Sequence, residues 1–100
     1  MNNGLTTNDI ETIHNIFRKY PNVRLVFLFG SRAKGNYKKG SDIDLAIMNK
    51  GVNIDTIFKI KREFEESSLP YFVDLINYFE LEHKELREHI DRIGIEFYKT

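Results

Sequence analysis

The chain has no cysteine. That excludes a disulfide scaffold and a thiolate zinc site, and it fits a reducing cytoplasm. No apolar stretch approaches the ~18 residues of a membrane-spanning helix, so no membrane contact is expected. The start, Met1-Asn2-Asn3-Gly4, has neither the basic nor the apolar stretch of a secretory signal. Net charge is also missing: 15 Lys and Arg balance 15 Asp and Glu. Nothing global therefore points to direct nucleic-acid binding. There is no repeat, low-complexity run or linker. The chain of 100 residues is accordingly read as one domain, residues 1–100. A domain of that size buries roughly 60–65% of its unfolded surface, enough for one modest core.

The charges that are present are unevenly placed. Up to Lys50 there are eight Lys or Arg against four Asp or Glu; from Gly51 onward there are seven against eleven. The basic excess gathers in Arg32, Lys34, Lys38 and Lys39, just before two aspartates.

Hydrophobic periodicity gives the element order. Thr6 or Thr7 can cap a helix that runs to about Tyr20, with Ile10, Ile13, Ile16 and Phe17 on one face. Val23 to Phe29 is apolar and rich in β-branched and aromatic residues, a strand buried on both faces. Gly30 to Gly40 is a basic, glycine-rich loop with room for one helical turn. Asp42 to Met48 alternates: Ile43, Leu45 and Ile47 face one way, and Asp42, Asp44, Ala46 and Met48 the other. Ile54 to Ser67 is helical with Ile57, Ile60 and Phe64 inward. Tyr71 to Asn77 is a strand, and Glu80 to Ile93 a charged helix with Leu86, Ile90 and Ile93 inward. Gly94 suits the residue after a helix end, and Ile95 to Tyr98 a short edge strand. The fold class is α+β (α/β): a small mixed sheet with helices on one face and the aspartates on the other.

Asp42 and Asp44 lie two apart on a strand, so their side chains leave the same face about 7 Å apart at Cα. Two carboxylates ~4 Å apart repel by about 4 kcal/mol at an effective dielectric of 20. A divalent cation offsets that repulsion, and magnesium takes one or two carboxylates together with phosphates and waters. Asp74 sits in another apolar strand, between Val73 and Leu75, where a charge needs a partner or a metal. If that strand lies beside the Asp42–Asp44 strand, the three carboxylates suit two metals and an in-line phosphoryl displacement. Asp74 could then help remove the proton of an attacking hydroxyl. Taken singly, the same residues have plainer readings: Asp42 as a turn residue, Asp44 paired to a lysine, Asp74 as half of a buried ion pair.

Gly30-Ser31 follows directly on an apolar strand. Backbone N–H groups at such a turn bind anions, and glycine lets a phosphate come close. Arg32 and Lys34 add positive charge. The P-loop spacing of glycine and lysine is missing, and a plain turn is the alternative. His14, His83 and His89 are read as surface residues that form no metal set. Tyr71, Tyr78 and Phe79 are read as core and rim aromatics, with a partner-binding patch as the alternative.

The composite of Gly30-Ser31, ten residues, then Asp42-Ile43-Asp44 resembles the signature of the DNA polymerase beta nucleotidyltransferase superfamily. The text from Phe29 to Gly35 and from Ser41 to Leu45 is similar to its minimal nucleotidyltransferase (MNT) group. Leu69 to Leu75 looks like that group's third-carboxylate strand, and Arg92 to Tyr98 like its C-terminus. The resemblance implies the nucleotidyltransferase fold. It implies that Asp42, Asp44 and Asp74 are catalytic and hold magnesium (two ions), and that Gly30 and Ser31 hold the phosphates of ATP, with Arg32 and Lys34 beside them. It implies an antitoxin encoded with a helical HEPN-domain toxin. Such an antitoxin acts in a hetero-oligomer, by transferring AMP to a tyrosine of the toxin or by occluding it. Many members have Arg where this chain has Lys34, which keeps the charge but not bidentate phosphate geometry. Antibiotic nucleotidyltransferases of the superfamily add a second helical domain that this length leaves out. A partner, or a second copy in a homodimer, would have to supply that wall.

Overall fold

The computed structural model describes residues 3–100. Helix α1 spans Thr7–Arg18, strand β1 Leu25–Phe29, helix α2 Gly30–Lys34 and strand β2 Ile43–Ile47. Helix α3 spans Ile54–Glu66, strand β3 Val73–Asn77, helix α4 Lys84–Ile93 and strand β4 Ile95–Lys99. The strands form one sheet in the order β3-β2-β1-β4. β1 pairs antiparallel with β2 and with β4, and β2 pairs parallel with β3 through the α3 crossover.

Local chemistry sets each boundary. Thr6 and Asp9 close a reciprocal capping box on α1, each side chain accepting the other's backbone N–H at 3.0 Å. Such a cap contributes about 1 kcal/mol. Asn53 caps α3 through Thr56 N–H at 2.9 Å. Residues 78–80 form a single 3₁₀ turn, capped by Asn77, and α4 starts only after His83 accepts Leu86 N–H at 3.1 Å. The charged helix is therefore shorter at its start than the pattern from Glu80 predicts.

Gly94 departs from expectation in a different way. It closes α4 with φ −59° and ψ 139°, extended backbone instead of a left-handed cap. Its N–H bonds Ile90 O at 2.8 Å and the chain passes straight into β4. A Cβ there would lie 2.5 Å from Ile90 O and 3.0 Å from the Phe27 ring. Close packing, not a positive φ, is what calls for glycine at this position.

One face of the sheet carries the main core. Val26, Leu28, Ile43, Leu45, Ile47, Val73 and Leu75 pack there against Ile13, Ile16 and Phe17 of α1 and Ile57, Ile60 and Phe64 of α3. The opposite face was expected to be free of helices. Its far half is instead covered by α4, with Ile90 buried against Phe29 and Ala46 and with Met48, Ile76 and Leu86 around them. The aspartates occupy the other half of that face, beside α2. No described helix is long and apolar enough to cross a membrane.

Candidate functional site

The parallel pairing of β2 and β3 sets Asp44 directly beside Asp74. Neighbouring strands run about 4.8 Å apart, so the two carboxyls leave one face side by side. Asp42 stands two residues earlier at the mouth of β2 and is exposed. The antiparallel pairing on the other side puts Phe29 opposite Asp44. The chain therefore leaves β1 and turns through Gly30 immediately beside that carboxylate.

Gly30 is required twice over. Its φ is +73°, in the left-handed region, and a Cβ built on it would lie 2.3 Å from Asp44 Oδ2. A side chain of any size would push the carboxylate away. The turn opens α2, which ends at the left-handed Gly35, whose N–H bonds Ser31 O at 2.9 Å. Ser31 is half-buried on the first turn, while Lys34, Lys38 and Lys39 are exposed.

No ion pair compensates the charge of this corner among the described residues. Asp44 is pushed up from its ordinary 3.8 to about 6, first by burial, then by the charges of Asp74 and Asp42, with Arg32 pulling the other way. The ion pairs among the described residues are Arg18–Glu11 and Lys19–Glu63, both elsewhere. No lysine thus takes up Asp44, and Asp74 is not half of an ion pair. The three aspartates also do not close into a ready-made cage: among the described residues, no group of three His, Cys, Asp or Glu is drawn together tightly enough to hold an ion. An open carboxylate corner of this kind fits magnesium, which binds through one or two carboxylates and completes its octahedron with waters and phosphates.

Arg32 departs from its expected place. It was expected beside the nucleotide, yet it is 2% exposed. Nε donates to Ser41 O at 3.2 Å and to Asp42 O at 3.3 Å, Nη2 to Ser41 O at 2.7 Å, and Nη1 to Asn3 O at 2.9 Å. The guanidinium lies 4.6 Å above the Tyr71 ring and 5.3 Å from that of Tyr37. A cation in this position has no free face for a phosphate. Sequence could not show this, because its hydrogen-bond partners and Tyr71 lie 9 to 39 residues away.

His89 was read as a surface residue and is not one. It is half-buried, its Nε2 accepts Gly30 N–H at 3.2 Å, and its ring meets Phe29 edge-on at 6.2 Å. The signal was available: His89 falls on the same stripe of α4 as Leu86, Ile90 and Ile93. His14 and His83 lie far from it, one bonded to Phe97 O at 2.8 Å and the other capping α4. A groove of about 590 Å³ runs between α3 and β3, lined by residues such as Ile54, Ile57, Leu75 and Leu81. It contains none of the three aspartates; a separate hollow of about 340 Å³, lined by Leu69, Tyr71, Phe72 and Val73 among others, includes Asp74 but neither Asp42 nor Asp44.

A mixed four-stranded sheet of this topology, with an acidic corner beside a Gly-Ser turn, is the fold of a nucleotidyltransferase. Residues 11–100 match the family described as polymerase beta, nucleotidyltransferase, and the chain belongs to that family. A protein of Haemophilus influenzae named probable protein adenylyltransferase MntA is 44% identical over 54 residues, 53% of this chain and 47% of that protein. The alignment thus spans about half the length of that relative. Among solved structures, a toxin–antitoxin with AMP-PNP is 22% identical, with a TM-score of 0.73 over 92% of this chain and 74% of its own. A Shewanella oneidensis complex of a tri-AMPylated HEPN toxin with its MNT antitoxin is 20% identical, with a TM-score of 0.65 over 91% of this chain and 70% of its own. At those identities the structural likeness is one of fold.

Proposed function

We propose that this chain is a magnesium-dependent nucleotidyltransferase that transfers AMP from ATP to a hydroxyl, a tyrosine of a HEPN-type toxin, and so acts as its antitoxin in the cytoplasm. The observation that carries this reading is the carboxylate corner: Asp44 beside Asp74, close to Asp42, against Gly30 and with no cation paired to it. Family membership and the AMP-transfer relatives support it.

In this reading Asp42, Asp44 and Asp74 hold magnesium, which when bound neutralises the triphosphate and the charge that develops on it. The α2 turn receives phosphate oxygens on the hydroxyl and backbone N–H of Ser31, Gly30 lets them approach without a side chain in the way while its own N–H is held by His89, and Lys34 adds charge from the exposed side. The acceptor oxygen forms a bond to the α-phosphorus as the bond to the β-phosphate oxygen breaks. Pyrophosphate leaves with that electron pair, and Asp74, at the edge of the cluster, takes the hydroxyl proton. Arg32 is outside this set, because its donors already hold backbone carbonyls.

In this reading the partner, or a second copy of the chain, brings the acceptor side of the site to the carboxylate corner. The test is transfer from α-labelled ATP, with magnesium, to a HEPN-type toxin. The wild type should label it. The Asp42→Asn, Asp44→Asn double variant should fall by on the order of 10³-fold. Equal labelling by both would overturn the reading. If the variant loses labelling but neutralises the toxin as well as wild type does, neutralisation works by occlusion and the transfer is secondary.

A further inference from the structure

Two charged groups sit in the same corner and are treated in opposite ways. The Asp44 carboxylate forms no ion pair among the described residues, whereas the Arg32 guanidinium is buried and bonded to the carbonyls of Asn3, Ser41 and Asp42. Arg32 stands two residues beyond Gly30 on α2, and its contacts cross to the backbone that enters β2. They reach the carbonyls of Ser41 and Asp42, the second being the peptide that leads out of the first aspartate. Tyr71, two residues before β3, covers one face of the guanidinium, and Nη1 ties in the segment at Asn3. One planar group thereby touches the three stretches of chain that carry Gly30, Asp42 and Asp74.

We propose that Arg32 is a positioning residue of the nucleotidyl-transfer site. It sets the spacing between the Gly30–Ser31 turn and the Asp42–Asp44 pair, and it supplies a fixed positive charge that leaves the carboxylates free to bind metal. The inference rests on the proposed transfer reaction, but its metal-binding consequence does not.

Physical reasons support a guanidinium here and no other group. Its planar fork reaches two consecutive carbonyls at once and still presents a flat face to Tyr71, which an ammonium cannot do. Its hydrogen bonds to neutral carbonyls keep it from forming a salt bridge that would compete with a cation for Asp44. Outer groups of this kind typically change metal affinity by about 10–100-fold when altered.

The experiment compares wild type with Arg32→Lys, which keeps a charge and loses the fork. Manganese binding in the presence of AMP-PNP is measured by calorimetry, and kcat and KM for ATP by label transfer. We expect manganese affinity to weaken about tenfold and kcat to fall by tenfold or more, with KM for ATP within about twofold. A rise in KM for ATP with metal affinity unchanged would make Arg32 a phosphate ligand and overturn the proposal. A lower melting temperature with manganese affinity and kcat both unchanged per folded molecule would make it a structural residue only, and would overturn it too. Tyr71→Leu removes the ring over the guanidinium and keeps an apolar side chain against the core. Should the lysine variant fail to fold, it must shift metal affinity and kcat in the same direction, by about two- to threefold, or the proposal fails. If the wild type transfers no AMP, the proposed reaction is wrong, and the calorimetry still decides the role of Arg32.

Discussion

Under α1 and α3, β2 presents Ile43, Leu45 and Ile47, each with no exposed surface; across the sheet the same strand presents Asp44, set against Asp74 on its neighbour. The first arrangement lowers the free energy of folding at roughly 25 cal/mol per Å² of apolar surface removed from water. The second raises it, through desolvation and through mutual repulsion of the carboxylates. The two faces therefore divide the work: one stabilises the sheet, and the other uses some of that stability to hold carboxylates together, which under the proposed function a cation and a triphosphate would compensate.

The comparison breaks most severely if a carboxylate is moved to the wrong face. Leu45→Asp is expected to cost about 4 kcal/mol or more, a large part of the roughly 5–15 kcal/mol available to a domain. Urea denaturation followed by circular dichroism should find it largely unfolded, although Asp44 beside it is tolerated.

Next in size is Gly30→Ala. The added Cβ meets Asp44 Oδ2 and the backbone is held at φ +73°, so a loss of about 2 kcal/mol is expected. AMP transfer should drop about 100-fold, since the displaced group is the carboxylate itself.

A smaller effect has the opposite sign. Asp44 is raised to about 6 from an ordinary 3.8, so the folded state binds its proton more tightly than the unfolded state does. Its contribution to stability is greatest below the unfolded value and is lost as pH rises through about 6. Without metal at pH near 7.5, Asp44→Asn should be more stable than wild type by about 1 kcal/mol, after allowance for solvent screening of a half-exposed carboxyl. The gap should narrow as the buffer is taken down through pH 6, and thermal melts across that range check it.

The smallest effect is expected on the helix side. Lys19 Nζ lies 2.6 Å from Glu63 Oε1, and Tyr20 OH also donates to Glu63. The bond from Lys19, and then that from Tyr20, holds the Glu63 carboxyl below its usual range. Its stabilisation is present above that range and fades as pH falls. Glu63→Gln should cost no more than about 0.5 kcal/mol and leave AMP transfer unchanged, which chemical denaturation in low and high salt can verify.

What the sequence discloses follows the range of each interaction. The alternation of β2 separates Asp42 and Asp44 from Ile43, Leu45 and Ile47 without any structure, because period 2 is a local property. A charge between Val73 and Leu75 is conspicuous for the same reason. The Thr6–Asp9 cap and the inward stripe of α3 are likewise local. The role of Arg32 is not, since its partners at Asn3, Ser41 and Tyr71 come together only in the fold. The layer of α4 is not local either: an amphipathic stripe reports that a face is buried and says nothing about which side of the sheet buries it. His89 lies on that stripe, and histidine's intermediate burial tendency leaves its side open until the fold brings Gly30 to it.

The central claim is that the acidic corner is completed by a divalent cation and a nucleotide together. Thermal unfolding with magnesium, with AMP-PNP, and with both tests it without any partner protein. The melting temperature of the wild type should rise by several degrees with both present and much less with either alone, and Asp44→Asn should show no such rise. An equal rise in the variant, or none in the wild type, would contradict the account.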